Sequence, residues 1–199
     1  MARTFASTSS QYLEVASAPV VAVPLTIACW AYVIDSTAHR ALLSLNNGSI
    51  TQSFFLQTRS DNYLRAYVFN TTGYNAQTST TFTDSTWIHA CGIFRGVSDR
   101  SIYLNGGGRG DNSSSCTPTG INTTTIAEAG SGTIYFDGNI AEAAIWNAAL
   151  TDAEVAVLAT GISPLAVRPQ SLVFYCPLVR DNDEDIVGGL SLTASGSPT

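Results

Sequence analysis

Carboxylates, two histidines, an Arg-Gly-Asp tripeptide and a scatter of tyrosines are the groups in this sequence that could act on, or hold, another molecule. Hydrolysis of a glycosidic bond needs two carboxylates facing one groove, which a strand supplies by alternating them. No Glu-x-Asp-x-Glu run occurs. Glu142 stands alone in its segment, and Glu14, Glu128 and Glu154 are far apart. His39 and His89 have no evident Ser or Cys partner, and His89, within Trp87-Ile88-His89-Ala90-Cys91, reads as a packed structural histidine. The acidic run Asp181-Asn182-Asp183-Glu184-Asp185 lacks the glycine and trailing glutamate of an EF-hand loop and reads as a solvated turn. The expectation is a protein that is not an enzyme and carries no cofactor.

Groups suited to recognition are easier to find. Arg109, Gly110 and Asp111 form an adhesion-type tripeptide, although one short enough to arise by chance. It lies in the glycine- and serine-rich run Gly106–Gly120, which predicts a flexible exposed loop. Tyr63, Tyr67 and Tyr74 fall near turns and edges, where a ring face suits the apolar face of a pyranose. Tyr63 and Tyr74 are the candidate glycan contacts. Trp30, Trp87 and Trp146 read as core or sheet-face residues. Asn47, Asn70, Asn112 and Asn122 begin Asn-x-Ser/Thr sequons, which here reflect a surface rich in Ser and Thr.

Composition narrows the partners. The 199 residues carry a net charge of −6, and all nine basic residues are arginine. That balance argues against nucleic acid and against an acidic membrane as partners. The absence of lysine suits a surface held against neighbours, as in a homo-oligomer, with compositional drift as the equal alternative. Residues 1–15 show no apolar signal-peptide core, and Pro19 and Pro24 interrupt the apolar stretch Val15–Ile34, so neither a signal peptide nor a membrane helix is expected.

The positioning elements are nearly all strands. Leu25–Val33 alternates so that Leu25, Ile27, Cys29, Ala31 and Val33 share a face. Ala41–Leu45 follows. Ser53–Thr58 and Tyr63–Asn70 predict a hairpin across Arg59–Asn62, and Tyr74–Phe82 an edge strand. Trp87–Arg95 and Ser101–Asn105 form another pair; Thr123–Glu128 and Ile134–Phe136 precede Phe136–Leu150. In that last stretch, alternation places Ala141, Ala143 and Ile145 on one face, and Ile140, Glu142, Ala144 and Trp146 on the other. A helix start comes next: Thr151 as cap, Glu154 closing a capping box, Leu150 and Val155 as a staple, and Gly161 at the stop, with Val155, Val157 and Leu158 as apolar contacts. Leu172–Leu178 is expected to run beside the N-terminal strands, and a last strand near Leu190–Ala194 closes the chain. Many strands and one late helix predict an all-β, two-sheet antiparallel sandwich. It forms one domain over residues 1–199, with 162–199 as a C-terminal strand and tail extension.

The segments LTIACWAYV, STWIHACGIF, RSIYLNGG and YFDGNIAEAAIWNAALTDAEV together resemble the concanavalin A-like jelly roll in its laminin G and pentraxin branch, over about residues 2–160. The resemblance implies two curved sheets, the helix lying on one face, and adjacent termini. Cys29 and Cys91 match positions that pentraxins join by a disulfide; a pair of reduced buried thiols is the equal alternative. Many relatives hold calcium with six to eight oxygens. Asp61-Asn62 resembles half of such a site, but the segment matching the other half, Ala129–Thr133, has no acid. A hairpin turn is therefore the weightier reading of Asp61 and Asn62, and calcium is not expected. The tail is similar to tails on laminin G-like proteins of bacteriophage particles. That likeness implies a virion-surface protein assembled in the host cytoplasm, decorating a capsid through contacts with a major capsid protein and with its own copies. The alternative is a lectin-like adhesion module for cell-surface glycans.

Overall fold

A computed structural model describes residues 2–130, 132–179 and 183–199. In chain order the strands are β1 (Arg3–Phe5), β2 (Tyr12–Val15), β3 (Leu25–Val33), β4 (Arg40–Asn46), β5 (Gln52–Thr58), β6 (Leu64–Asn70), β7 (Thr72–Gln77), β8 (Trp87–Gly96), β9 (Asp99–Leu104), β10 (Gly107–Asn112), β11 (Thr123–Ile126) and β12 (Gly138–Trp146). The helix α1 (Asp152–Leu158), then β13 (Leu172–Cys176) and β14 (Thr193–Ser195), complete the chain. The strands pair antiparallel in two seven-stranded sheets. The first runs β1-β12-β3-β8-β9-β10, with β13 also on β12; the second runs β14-β2-β11-β4-β5-β6-β7. This is the expected jelly-roll sandwich.

Alternation explains what lies between the sheets. Leu25, Ile27, Cys29, Ala31 and Val33 from β3 meet Phe54, Leu56, Ala66 and Val68 from the β5–β6 hairpin in the main core. Gly92 of β8 faces the same space; a Cβ there would lie 2.6 Å from Leu56 Cδ2, so its lack of a side chain lets the sheets approach. The helix start forms as its sequence predicts. Thr151 Oγ1 accepts from the Glu154 backbone N–H at 3.3 Å, and Glu154 Oε2 accepts from the Thr151 N–H at 2.7 Å. Leu150, Val155 and Leu158 pack with Ala28, Cys91, Ile93 and Trp146 on the outward face of the first sheet. Val157 is instead exposed.

Several expectations need correction. Strict alternation along β12 fails because the strand bulges between Ala141 and Ala144, with Glu142 at φ 54°. The bulge turns Ile140 into the core beside Ala143 and Ile145, not outward with Trp146. Gly106–Gly120 is not wholly a flexible loop, since Gly107–Asn112 is the edge strand β10 on β9. Ile134–Phe136 forms no strand. β13 pairs with β12 rather than with the N-terminal strands, while β1 takes the other end of β12. The acidic run is not simply solvated. Asp183 pairs with Arg3 at 3.0 Å, and the buried Asp185 accepts from the backbone N–H groups of Tyr175, Val187 and Gly188; Asp181 lies outside the described residues. Cys29 and Cys91 are both free thiols. Cys29 pairs in register with Ala90 and Cys91 with Ala28, so the one-residue offset sends their side chains to opposite faces of the sheet and no bridge forms. Burial pushes the Cys29 thiol up to about 12 and raises that of Cys91 as well. Among the described residues, no helix is long and apolar enough to cross a membrane.

Candidate functional site

On the β5–β6 hairpin the residues between the inward ones point outward, away from the core. Three successive cross-strand pairs line up there: Gln57 with Arg65, Phe55 with Tyr67, and Ser53 with Phe69. The rings form a ladder. Phe55 and Tyr67 are stacked at 5.0 Å between centroids and 29°, and Tyr67 and Phe69 at 6.0 Å and 17°. Tyr67 reaches over β7, where a Cβ on Gly73 would lie 2.3 Å from the phenol oxygen, so glycine there leaves the ring its place.

The connection between β11 and β12 folds back over this face and makes one wall. Ala129 and Ile134 pack with Ala41, Phe55 and Tyr67. The Ala41 N–H donates to the Ile134 carbonyl at 2.9 Å, and the Ile50 N–H to the Gly130 carbonyl at 3.2 Å. The buried Glu128 carboxylate shapes the turn by accepting from the N–H groups of Gly130 and of Gly132, the latter at 2.8 Å. A groove of about 290 Å³ results, lined by Phe55, Tyr67, Phe69 and Ile134, with Gln57, Arg65 and His39 supplying polar groups.

The polar end is positively biased. Arg59 is held by Asp61 at 3.1 Å and by the Gln77 side chain. His39 Nδ1 accepts from the Ser60 N–H at 3.3 Å, which leaves the proton of the neutral ring on Nε2. Burial, then the charges of Arg65 and Arg59, lower its pKa below the usual histidine range, so it is neutral at pH 7. The Gln57 side chain, only 6% exposed, presents an Oε1 with no hydrogen-bond partner, and Arg65 an Nε in the same condition. Such a surface offers the partly exposed rings of Tyr67 and Phe69 for stacking, with Phe55 buried behind them, together with an acceptor, an uncharged donor and a cation. Among the described residues no carboxylate lines it.

Of the residues singled out from the sequence, Tyr67 and His39 are in the groove. Tyr74 pairs with Val68, an inward position, and packs against the main core, so it is not a glycan contact of this face. Tyr63 sits at the hairpin turn, where its carbonyl accepts from the Arg59 N–H. Asp61 and Asn62 diverge: Asp61 pairs with Arg59, while Asn62, at φ 64°, accepts from Ser36 in the β3–β4 connection and donates to Asp84 in the β7–β8 connection. Among the described residues no three His, Cys, Asp or Glu side chains gather to hold a metal ion. The Arg-Gly-Asp tripeptide is tied down on β10. Arg109 bonds Asp111 at 2.8 Å and Asp152 at 2.9 Å, Ser101 donates to Asp111 at 2.6 Å, and Gly110 lies against the Gln77 carbonyl. Phe55, Phe69, Gln57 and Arg65 were not singled out from the sequence. The period-2 pattern groups alternate residues of each hairpin strand on one face, but which face turns outward is settled only by the strand pairing.

Beyond the helix, the first sheet leaves a second aromatic group outward, with Trp30 against His89 at 5.3 Å and Tyr32 against Trp87 at 5.8 Å. Trp87 is 43% exposed, whereas His89 is 2% exposed and burial lowers its pKa to about 4. Trp146 is fully buried under the helix, its Nε1–H donating to the Val167 carbonyl at 2.9 Å.

Comparison with curated proteins gives no match. Solved structures do resemble this one. A candidate carbohydrate-binding protein from Bacteroides ovatus matches with TM-score 0.69 and 16% identity, over 100% of this chain and 58% of that one. The chain thus spans little more than half the length of that protein. A heptameric SAP-like pentraxin from Limulus polyphemus matches with TM-score 0.61 and 16% identity, over 95% of this chain and 87% of that one. The CBM40 of a Ruminococcus gnavus IT-sialidase matches with TM-score 0.61 and 16% identity, over 71% and 84%. At such identities these likenesses establish the fold alone. The model of the concanavalin A-like lectin/glucanases superfamily matches residues 7–156, and the chain belongs to that superfamily.

Proposed function

We propose that this chain is a non-catalytic carbohydrate-binding module, and that the groove over β5 and β6 is where the sugar lies. The observation that carries the reading is the partly exposed rings of Tyr67 and Phe69, backed by the buried Phe55, beside unpartnered polar groups. An aromatic face accepts the C–H-rich side of a pyranose, and convergent polar groups fix its orientation. Gln57 Oε1 accepts from a sugar hydroxyl, and His39 Nε2–H donates to one. The names of the Bacteroides and Ruminococcus structures support the reading. A glycan array followed by calorimetry on the best ligand tests it. Tyr67→Ala is expected to weaken binding about tenfold or more while leaving the melting temperature within a few degrees. An array on which nothing binds, or a ligand indifferent to Tyr67→Ala, overturns it.

A second reading places the protein on a virion, held by a major capsid protein and by copies of itself. Exposed Val179, Ile186 and Val187 on the tail favour it, because apolar side chains at a surface suit burial against another protein. It predicts a stable oligomer in solution that Ile186→Asp dissociates; a monomer at all concentrations would rule against the self-association.

A further inference from the structure

Resting on the glycan reading, we infer that the sugar carries a carboxylate and that Arg65 is the group that holds it. The argument starts from what the other arginines do. Arg3, Arg59, Arg95, Arg109 and Arg168 each pair with a carboxylate, at 3.0, 3.1, 3.5, 2.9 and 2.6 Å. Arg100 donates to the Val97 carbonyl at 3.0 Å and to the Asn112 side chain at 2.5 Å; Arg40 donates to the Tyr135 carbonyl at 3.2 Å. Among the described residues, Arg65 is the arginine whose guanidinium has neither an ion pair nor a hydrogen-bond partner. In a chain of net charge −6, acids outnumber bases, so a cation left over is a feature of its location and not of a shortage of counter-ions.

That location is the groove. Arg65 lines it directly opposite Gln57. Its Nε and the Gln57 Oε1 are both buried and both unsatisfied. Leaving a buried donor or acceptor unmade is costly, so a ligand that satisfies both recovers that cost on binding. A guanidinium is a planar fork that meets a carboxylate through two parallel N–H···O bonds. The neighbouring amide oxygen needs a donor, which a hydroxyl on the same sugar supplies. Asp61 is the nearby acid, and it is engaged by Arg59. The class of ligand that fits is therefore a pyranose bearing both a carboxylate and a free hydroxyl, stacked on Tyr67, such as a hexuronic acid or a sialic acid.

Calorimetry with paired probes tests this. One arm compares oligogalacturonate with its methyl ester, and the other compares sialyllactose with lactose. In at least one arm the acid is expected to bind about tenfold or more tighter than its neutral partner. Arg65→Gln should erase that difference without moving the melting temperature by more than a few degrees, and Arg65→Lys, which keeps the charge but not the fork, should restore part of it. If neutral sugars bind as well as the acids, or if Arg65→Gln keeps the preference, the carboxylate assignment fails while the groove remains a sugar site. If no sugar of either kind binds, the glycan reading fails with it.

Discussion

The outward face of the first sheet carries Ala28, Cys91, Ile93, Ala144 and Trp146 and is roofed by α1, so it becomes a second, smaller core. The outward face of the second sheet carries Phe55, Tyr67 and Phe69 and has only the β11–β12 connection along one side. Both faces come from the same two-residue period, and both present large rings. What separates the part under the helix from the groove is the satisfaction of polar groups. Under the helix, the Trp146 indole N–H has its carbonyl, and Thr26 Oγ1 both donates to the Ala148 carbonyl and accepts from the Leu150 N–H. In the groove, Gln57 and Arg65 keep unmade bonds. A sealed face finishes its hydrogen bonding internally, and an open one leaves it for a ligand.

Breaking the sealed face should have the largest consequence. Trp146→Ala empties the space beneath the helix and strands the Val167 carbonyl, so a loss of about 3–5 kcal/mol is expected, on the order of 10 °C in thermal midpoint. A thermal melt that moves by only a degree or two would mean the helix is not seated on that ring.

Acid should act next, and on the same sheet. His89 has a folded pKa of about 4 because burial disfavours its charged form. Between the unfolded value near 6.5 and that figure, only the unfolded chain takes the proton. Stability is thus complete above about pH 6.5 and falls by roughly 3 kcal/mol as the pH drops towards 4. Denaturant unfolding at stepped pH reads this directly, and His89→Gln should flatten that part of the profile.

The smallest effect sharpens the contrast from the open side. In Gly73→Ala the new methyl collides with the far end of the Tyr67 side chain, which can swing aside. The fold should be kept and sugar affinity reduced about three- to tenfold. A calorimetric titration showing full affinity would place the ligand away from Tyr67.

The comparison also shows what the residues reveal before folding. Thr151 and Glu154 announce the helix because capping is local, and the strand pattern announces the sandwich because burial repeats every second residue. The groove is less legible for a physical reason. In β5 both Phe54 and Phe55 are aromatic, so apolarity does not say which faces out, and the pair with Tyr67 exists only once the hairpin register is set. Tyr74 misleads in the same way, since an edge strand still has one side turned to the core. The bulge at Glu142 and the one-residue offset between Cys29 and Cys91 are pairing outcomes, which no single segment encodes.

That offset has a wider consequence. With Cys29 and Cys91 facing away from one another and the Cys29 and Cys176 thiols held near 12 by burial, no covalent staple supports the sandwich and little thiolate is available to make one. A reductant should thus leave both the sandwich's melting and its grip on a ligand untouched, which a thermal melt and a titration with and without one check.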